Sequence, residues 1–152
     1  MNDLRWQWYG WGEVSADVLH AFLRLRSNVF VVEQNCVFHE VDGLDPKCDH
    51  LCGWLGGELV AYLRLLPPGL KSPEAALGRV VVAAAHRRKG HSRTAVRHGL
   101  ARSAERHPGK TIRIQAQSHL APFYETLGFE RKGVEYVEDG IPHVDMVKAV
   151  NS

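Results

Sequence analysis

Residues 77–96 read LGRVVVAAAHRRKGHSRTAV. The first seven are apolar and β-branched apart from Gly78 and Arg79, the pattern of a strand covered on both faces. A short basic turn with one glycine follows, and then the apolar spacing of a helix begins. A helix entered this way aims its unpaired backbone N–H groups at one point, and that point favours an anion, most often a phosphate. Arg87, Arg88, Lys89 and Arg93 surround it with positive charge.

Working outward, residues 4–9 (LRWQWY) alternate as a strand. Ser15 is a plausible N-cap with Asp17 in the first turn. The spacing from there predicts a helix to about residue 30, with Leu19, Phe22, Leu23, Arg26, Val29 and Phe30 at helical spacing. Residues 33–49 are acidic and irregular, closed by Gly43 and Pro46. Two strands, 50–55 and 58–66, flank Gly56-Gly57, a hairpin signal. The helix after the basic turn spans about 90–106, with an inner stripe of Val96, Leu100 and Ala104 flanked by Ala95, Gly99 and Ser103. Residues 111–117 (TIRIQAQ) alternate as a strand, 121–127 form a short helix, and 129–132, 133–137 and 143–150 read as short closing strands. The order β-α-β-β-β-α-β-α-β-β predicts one mixed α/β sheet in a single domain, residues 1–152, with a right-handed parallel crossover over 77–117.

The chain has 152 residues, 45% apolar and 24% charged, an ordinary balance for a soluble globular domain. That length buries roughly 70% of the unfolded surface, enough to fold without staples. The net charge of +2 does not by itself suggest nucleic acid or a membrane. Its distribution is uneven. Seven of the 19 Lys and Arg residues fall within 87–106, opposed only by Glu105. Glu33, Glu40, Asp42, Asp45 and Asp49 cluster in the irregular segment. The basic stretch lacks the interleaved aromatics of a nucleic-acid site. With no apolar leader and an odd cysteine count, the expectation is a soluble cytoplasmic protein. Cys48, His50 and Cys52 lack the second ligand pair of a structural zinc site, and on a strand they share one face. No metal is expected.

The basic turn matches neither the P-loop nor the G-x-G-x-x-G pattern. It fits Arg-x-x-Gly-x-Ser, Arg87 to Ser92, after GRVVV. This resembles the acetyl-CoA pyrophosphate loop of the GNAT superfamily of N-acetyltransferases, written Q/R-x-x-G-x-G/A, with Ser92 at the last position. Residues 116–129 (AQSHLAPFYETLGF) resemble the superfamily's later segment, in which a strand end and short helix lead into "FYExxGF". VFVVEQNC (29–36), EVDGLD (40–45), YLRLLPPG (62–69), LGRV (77–80) and EDGIPH (138–143) look like the ElaA-like subfamily, so the resemblance covers nearly the whole chain.

The resemblance implies a single-domain acyl-CoA N-acyltransferase fold with splayed central parallel strands, acetyl-CoA as co-substrate, and direct attack of an amine on the thioester. The backbone of Val80, Val81 and Val82 would bind the pantetheine. Arg87, Arg88, Lys89, Gly90, His91, Ser92 and Arg93 would hold the pyrophosphate. His119 and Phe123 would line the CoA channel, and Tyr124 would protonate the leaving thiolate. The general base stays open among Glu33, His39, Asp42 and His143. Glu33 follows an apolar stretch where burial would raise its pKa, and it is carried with Tyr124 as a catalytic candidate. The acidic 33–49 segment would draw in a cationic small-molecule or peptide amine. Trp6, Trp8 and Trp11 offer a homodimer surface or core. The alternatives are an acyltransferase using longer donors and a non-catalytic acyl-CoA-binding module.

Overall fold

The computed structural model describes residues 3–149. Strand β1 is Arg5–Tyr9, and helix α1 is Ala16–Arg26, capped by the Ser15 hydroxyl, which accepts from the Val18 N–H. The helical path continues beyond residue 26 as a π-helical turn, Ser27–Glu33, with wide bonds such as Gln34 N–H to the Val29 carbonyl. Strands β2 (Asp49–Leu55) and β3 (Glu58–Leu66) form the expected antiparallel hairpin. Strand β4 is Ala75–Val82, helix α2 is His91–Arg106, and β5 is Ile112–Gln117. Helix α3 is Ala121–Glu125, and β6 (Glu130–Glu138) and β7 (Ile141–Lys148) close the sheet.

The seven strands lie in the order β1-β2-β3-β4-β5-β7-β6, and only β4 and β5 run parallel. The mixed α/β sheet and the element order are those read from the sequence. Boundaries shift by a few residues: the regular helix expected to about residue 30 ends at Arg26, and the closing strands differ. The segments expected as separate strands at 129–132 and 133–137 are one strand, β6, with its irregularity between Lys132 and Tyr136. Gly133 there adopts φ +81°, so the strand kinks at a residue free of Cβ conflict and resumes.

Helices α2 and α3 cover one face. Ala95 and Val96 of α2 pack on Leu51, Leu63, Leu65 and Leu77, with Tyr124 and Phe129 in the same core. The buried stripe of α2 is the small-residue set Ala95, Val96, Gly99 and Ser103; Ala104, placed on the inner side from spacing, is exposed. Gly99 sets the approach distance, because a Cβ there would meet Leu77 Cδ2 at 2.8 Å. The opposite face carries α1, whose Phe22 stacks on Tyr62 and His50. His50 and Cys52 lie on that face, and burial raises the Cys52 thiol to about 12. Trp6 and Trp8 are half-buried against the core, while Trp11 is exposed. No helix among the described residues is long and apolar enough to cross a membrane.

Beneath α1 lies a buried ionic network. Arg26, fully buried, donates to Glu40 and Asp45; Arg64 donates to Asp42 and Asp45; Arg79 donates to Glu40. His50 donates from Nε2 to the Asp45 carbonyl at 2.9 Å and accepts at Nδ1 from the Tyr62 hydroxyl at 2.6 Å. Burial lowers its pKa, so it is held neutral. Burial alone would raise Asp42 and Asp45, but the arginine bonds and charges win and hold both below the ordinary carboxylate range. Three guanidinium groups meet three carboxylates. The acids at 40–45 are therefore neutralised within the fold. This corrects the expectation that they draw in a cationic substrate.

Candidate active site

The sheet opens at its centre. Strands β4 and β5 pair only at Ala75–Ile112, Ala76–Arg113 and Leu77–Ile114. Beyond Gly78, β4 stays with β3 through Tyr62–Val81 and Ala61–Val82, while β5 stays with β7 as far as Gln117–His143. The cause is a bulge in β4. The register with β3 slips between Tyr62 and Arg64, and Arg79 adopts φ +50°. A non-glycine residue with positive φ is strained, and its bonds to Glu40 and its guanidinium 5.3 Å from the Phe38 ring centroid hold it there. From Gly78 to Val82 the β5-facing edge of β4 has no strand partner among the described residues, which leaves its backbone donors and acceptors open.

A cavity of about 470 Å³ fills this split. Val80, Val81, Val82, Arg87, Ser92, His119 and Tyr124 line it, as does Glu33. At its basic end, Arg88 and Gly90 take left-handed conformations (φ +66° and +79°), and Gly90 is the N-cap of α2. The first intrahelical bond there is Thr94 N–H to the Gly90 carbonyl, 3.1 Å, so the N–H groups of His91, Ser92 and Arg93 have no intrahelical partner. A helix N-terminus ringed by exposed Arg87, Arg88 and Lys89 has the geometry and the charge that favour an anion.

Some residues assigned from the sequence sit elsewhere. The side chains of Lys89 and His91 border a separate recess with Leu4 and Trp6. Phe123 packs on the core, and Arg93 lies over its ring at 5.3 Å while donating to Thr126 Oγ1, which ties α3 to α2. The raised pKa expected for Glu33 is corrected. Its carboxylate accepts two bonds from Arg87, at 2.6 and 2.9 Å, and these hold it below the ordinary value. An ion-paired carboxylate is a poor proton acceptor. Tyr124 is 5% exposed, edge-on to Phe123 and Phe129, and burial raises its pKa, so the phenol stays protonated.

A second cavity, about 790 Å³, opens on the α1 face. Both cavities are bordered by Gly78, Arg79, Gln115, Glu138, Asp139 and His143, so they meet at the split. The sequence reading passed over Gln115, Gln117, Glu138 and Asp139. The signal for the two glutamines was present: in β5 they alternate with Ile112, Ile114 and Ala116, whose side chains are buried in the core.

A model of the acetyltransferase (GNAT) domain family matches residues 49–150. The chain belongs to the GNAT family. Protein ElaA of Escherichia coli K12 is 38% identical over 149 residues, 97% of each chain. The UPF0039 protein of Synechocystis is 38% identical over 146 residues, 95% of each. The crystal structure of an acyl-CoA N-acyltransferase from Pseudomonas aeruginosa superposes with a TM-score of 0.92 at 37% identity, covering 96% of this chain and 99% of that one. The fold is that of the GNAT acyl-CoA N-acyltransferases, with acyl-CoA as co-substrate and an amine as acceptor.

Proposed function

We propose that the chain is an N-acetyltransferase, a single catalytic domain over residues 1–152 acting in the cytoplasm, which moves the acetyl group of acetyl-CoA to a primary amine of a small molecule or peptide. The observation that carries this reading is the split between β4 and β5, closed at one end by the basic N-terminus of α2. In it, the free edge of Val80–Val82 binds the pantetheine amides. The N–H groups of residues 91–93 take the pyrophosphate, supported by the charges of Arg87, Arg88 and Lys89 about the Gly90 turn. Ser92 and His119 border the channel. Serine at position 92 is small and keeps its N–H, so the loop geometry is retained. Arg93 and Phe123 serve by fixing α3 against α2.

The acceptor enters through the larger cavity. Its nitrogen attacks the thioester carbonyl, the C–S bond breaks, and Tyr124 donates its proton to the departing thiolate. A phenol kept protonated by burial suits that task, since thiols titrate near 8.5. Positioning supplies much of the rate.

The test is thiol release from acetyl-CoA across a panel of primary amines (lysine, spermidine, phenethylamine and a short peptide), repeated with octanoyl-CoA. Acetyl transfer faster than octanoyl transfer supports the reading. The reverse order assigns a longer donor, and tight CoA binding without thiol release contradicts catalysis. In Tyr124→Phe, kcat falls by up to about 10²–10⁴-fold with acetyl-CoA affinity unchanged. An unaltered kcat removes Tyr124 from the chemistry.

A further inference from the structure

We propose that His143 is the general base that takes the proton from the acceptor amine, an assignment that rests on the acyl-transfer reading above. His143 lies at the end of the β5–β7 pairing, opposite Gln117, where the sheet splits. It borders both the CoA-side cavity and the larger cavity through which the acceptor arrives. A group that removes a proton from an attacking nitrogen must stand at that junction.

The hydrogen bonds of the ring give it the right tautomer. Nδ1 lies 2.7 Å from the Ile141 carbonyl oxygen. A carbonyl only accepts, so Nδ1 carries the hydrogen and Nε2 of the neutral ring holds the lone pair. Nε2 makes no hydrogen bond among the described residues. The ring is braced on one side by Tyr136, stacked at 6.0 Å and 20°. Tyr136 is fixed in turn by donating to Asp145, which Arg113 also binds. The ring is thus held in place while its basic nitrogen stays free.

The other candidates are occupied or misplaced. Glu33 is bound by Arg87, and Asp42 by Arg64. His39 borders only the larger cavity. The charged groups that border both cavities beside His143 are Glu138, the last residue of β6, Asp139 of the turn after it, and Arg79 from β4. Arg79 is paired with Glu40, whereas Glu138 and Asp139 form no ion pair among the described residues and attract an ammonium group toward Nε2. In the step, Nε2 accepts one proton from the acceptor ammonium, the neutral nitrogen forms the new N–C bond at the thioester carbonyl, and the C–S electron pair leaves on sulfur. Sulfur takes the Tyr124 proton, and the second proton of the nitrogen returns to the Tyr124 phenolate, which leaves a neutral amide and a restored phenol.

His143→Asn tests this, since its amide can still donate to Ile141 but offers no lone pair at the Nε2 position. With acetyl-CoA and the best amine of the panel, kcat/KM should fall about 10²–10⁴-fold at pH 7, with acetyl-CoA affinity and Tm unchanged. The deficit should shrink as pH rises toward the amine's own pKa, about 10 for an alkylamine. Equal rates and an unchanged profile would overturn the assignment while leaving the acyltransferase reading intact. A variant that loses acetyl-CoA binding or stability would mark His143 as structural and also overturn it. Independently of turnover, long-range ¹H–¹⁵N spectra of the parent imidazole should show the hydrogen on Nδ1; a hydrogen on Nε2 would contradict the proposal. A parent enzyme that releases no thiol with any amine overturns the acyl-transfer reading itself.

Discussion

The molecule holds two clusters of arginine, and they differ in what faces them. Arg26, Arg64 and Arg79 lie under α1, each bound to carboxylates from the 40–45 loop. Arg87 and Arg88, with Lys89, stand in the open around the start of α2, and among the described residues only Arg87 of these has a carboxylate partner, Glu33. Buried cations are matched because desolvating an unmatched charge costs several kcal/mol. Exposed cations at a helix N-terminus carry no such demand, and they add to a field that a phosphate satisfies. The first cluster shapes the strand bulge that opens the sheet. The second surrounds the free N–H groups at the start of α2.

The sharpest way to break this contrast is to remove one buried cation. Arg26→Ala leaves Glu40 and Asp45 without their main partner and should cost about 3–5 kcal/mol. For a domain of this size that is a fall in Tm of roughly 6–20 °C by calorimetry. A Tm within a degree of the parent would mean that the network contributes little.

Acidification probes the same cluster. His50 is held neutral by burial, so the unfolded chain takes up a proton that the folded chain refuses, and stability should begin to drop below about pH 6.5. Asp42 and Asp45 have depressed folded values, so their contribution is complete above the unfolded value near 4 and is lost as pH falls through the folded ones. Tm against pH should therefore decline gently from about 6.5 and steeply below about 4. A Tm that stays flat to pH 3 would contradict the pairing.

The smallest effect belongs to the exposed pair. Glu33→Gln frees Arg87 beside the proposed pyrophosphate site, so acetyl-CoA affinity should rise, by no more than about fivefold given the weakness of exposed ion pairs. Stability should stay within about 0.5 kcal/mol of the parent. A weakened affinity would show that Glu33 orders the loop rather than competing with the ligand.

Much of the fold was legible because its signals are local. The alternation of LRWQWY and TIRIQAQ, the Gly56-Gly57 turn and the Ser15 cap each place an element within a few residues. The basic turn and the Tyr124 segment likewise mark one site from two stretches of chain. The pairings that open the sheet were not legible. Arg26 meets Asp45, Arg64 meets Asp42 and Arg79 meets Glu40 across distant segments, and spacing along the chain carries no trace of them. Arg26 fell at helical spacing with Phe22 and Val29, but its partners lie in a loop that reads as solvent-facing. The bulge at Arg79 was hidden for a different reason: the left-handed residue is an arginine, where a glycine would have signalled it. The role proposed for His143 depends on one bond to Ile141 and on two cavities meeting, neither of which spacing encodes.

The central claim is that the basic end of the split, at Gly90, takes the anionic end of CoA. A Cβ at Gly90 would meet nothing within 4 Å, so the position has room, but φ +79° strains any side chain. Gly90→Gln carries that strain alone, and Gly90→Glu adds a negative charge. The decisive measurement is calorimetric titration of acetyl-CoA into the parent and both variants. The account predicts saturable one-site binding to the parent, weakened but measurable binding to Gly90→Gln, and none to Gly90→Glu. Micromolar affinity retained by Gly90→Glu would contradict it.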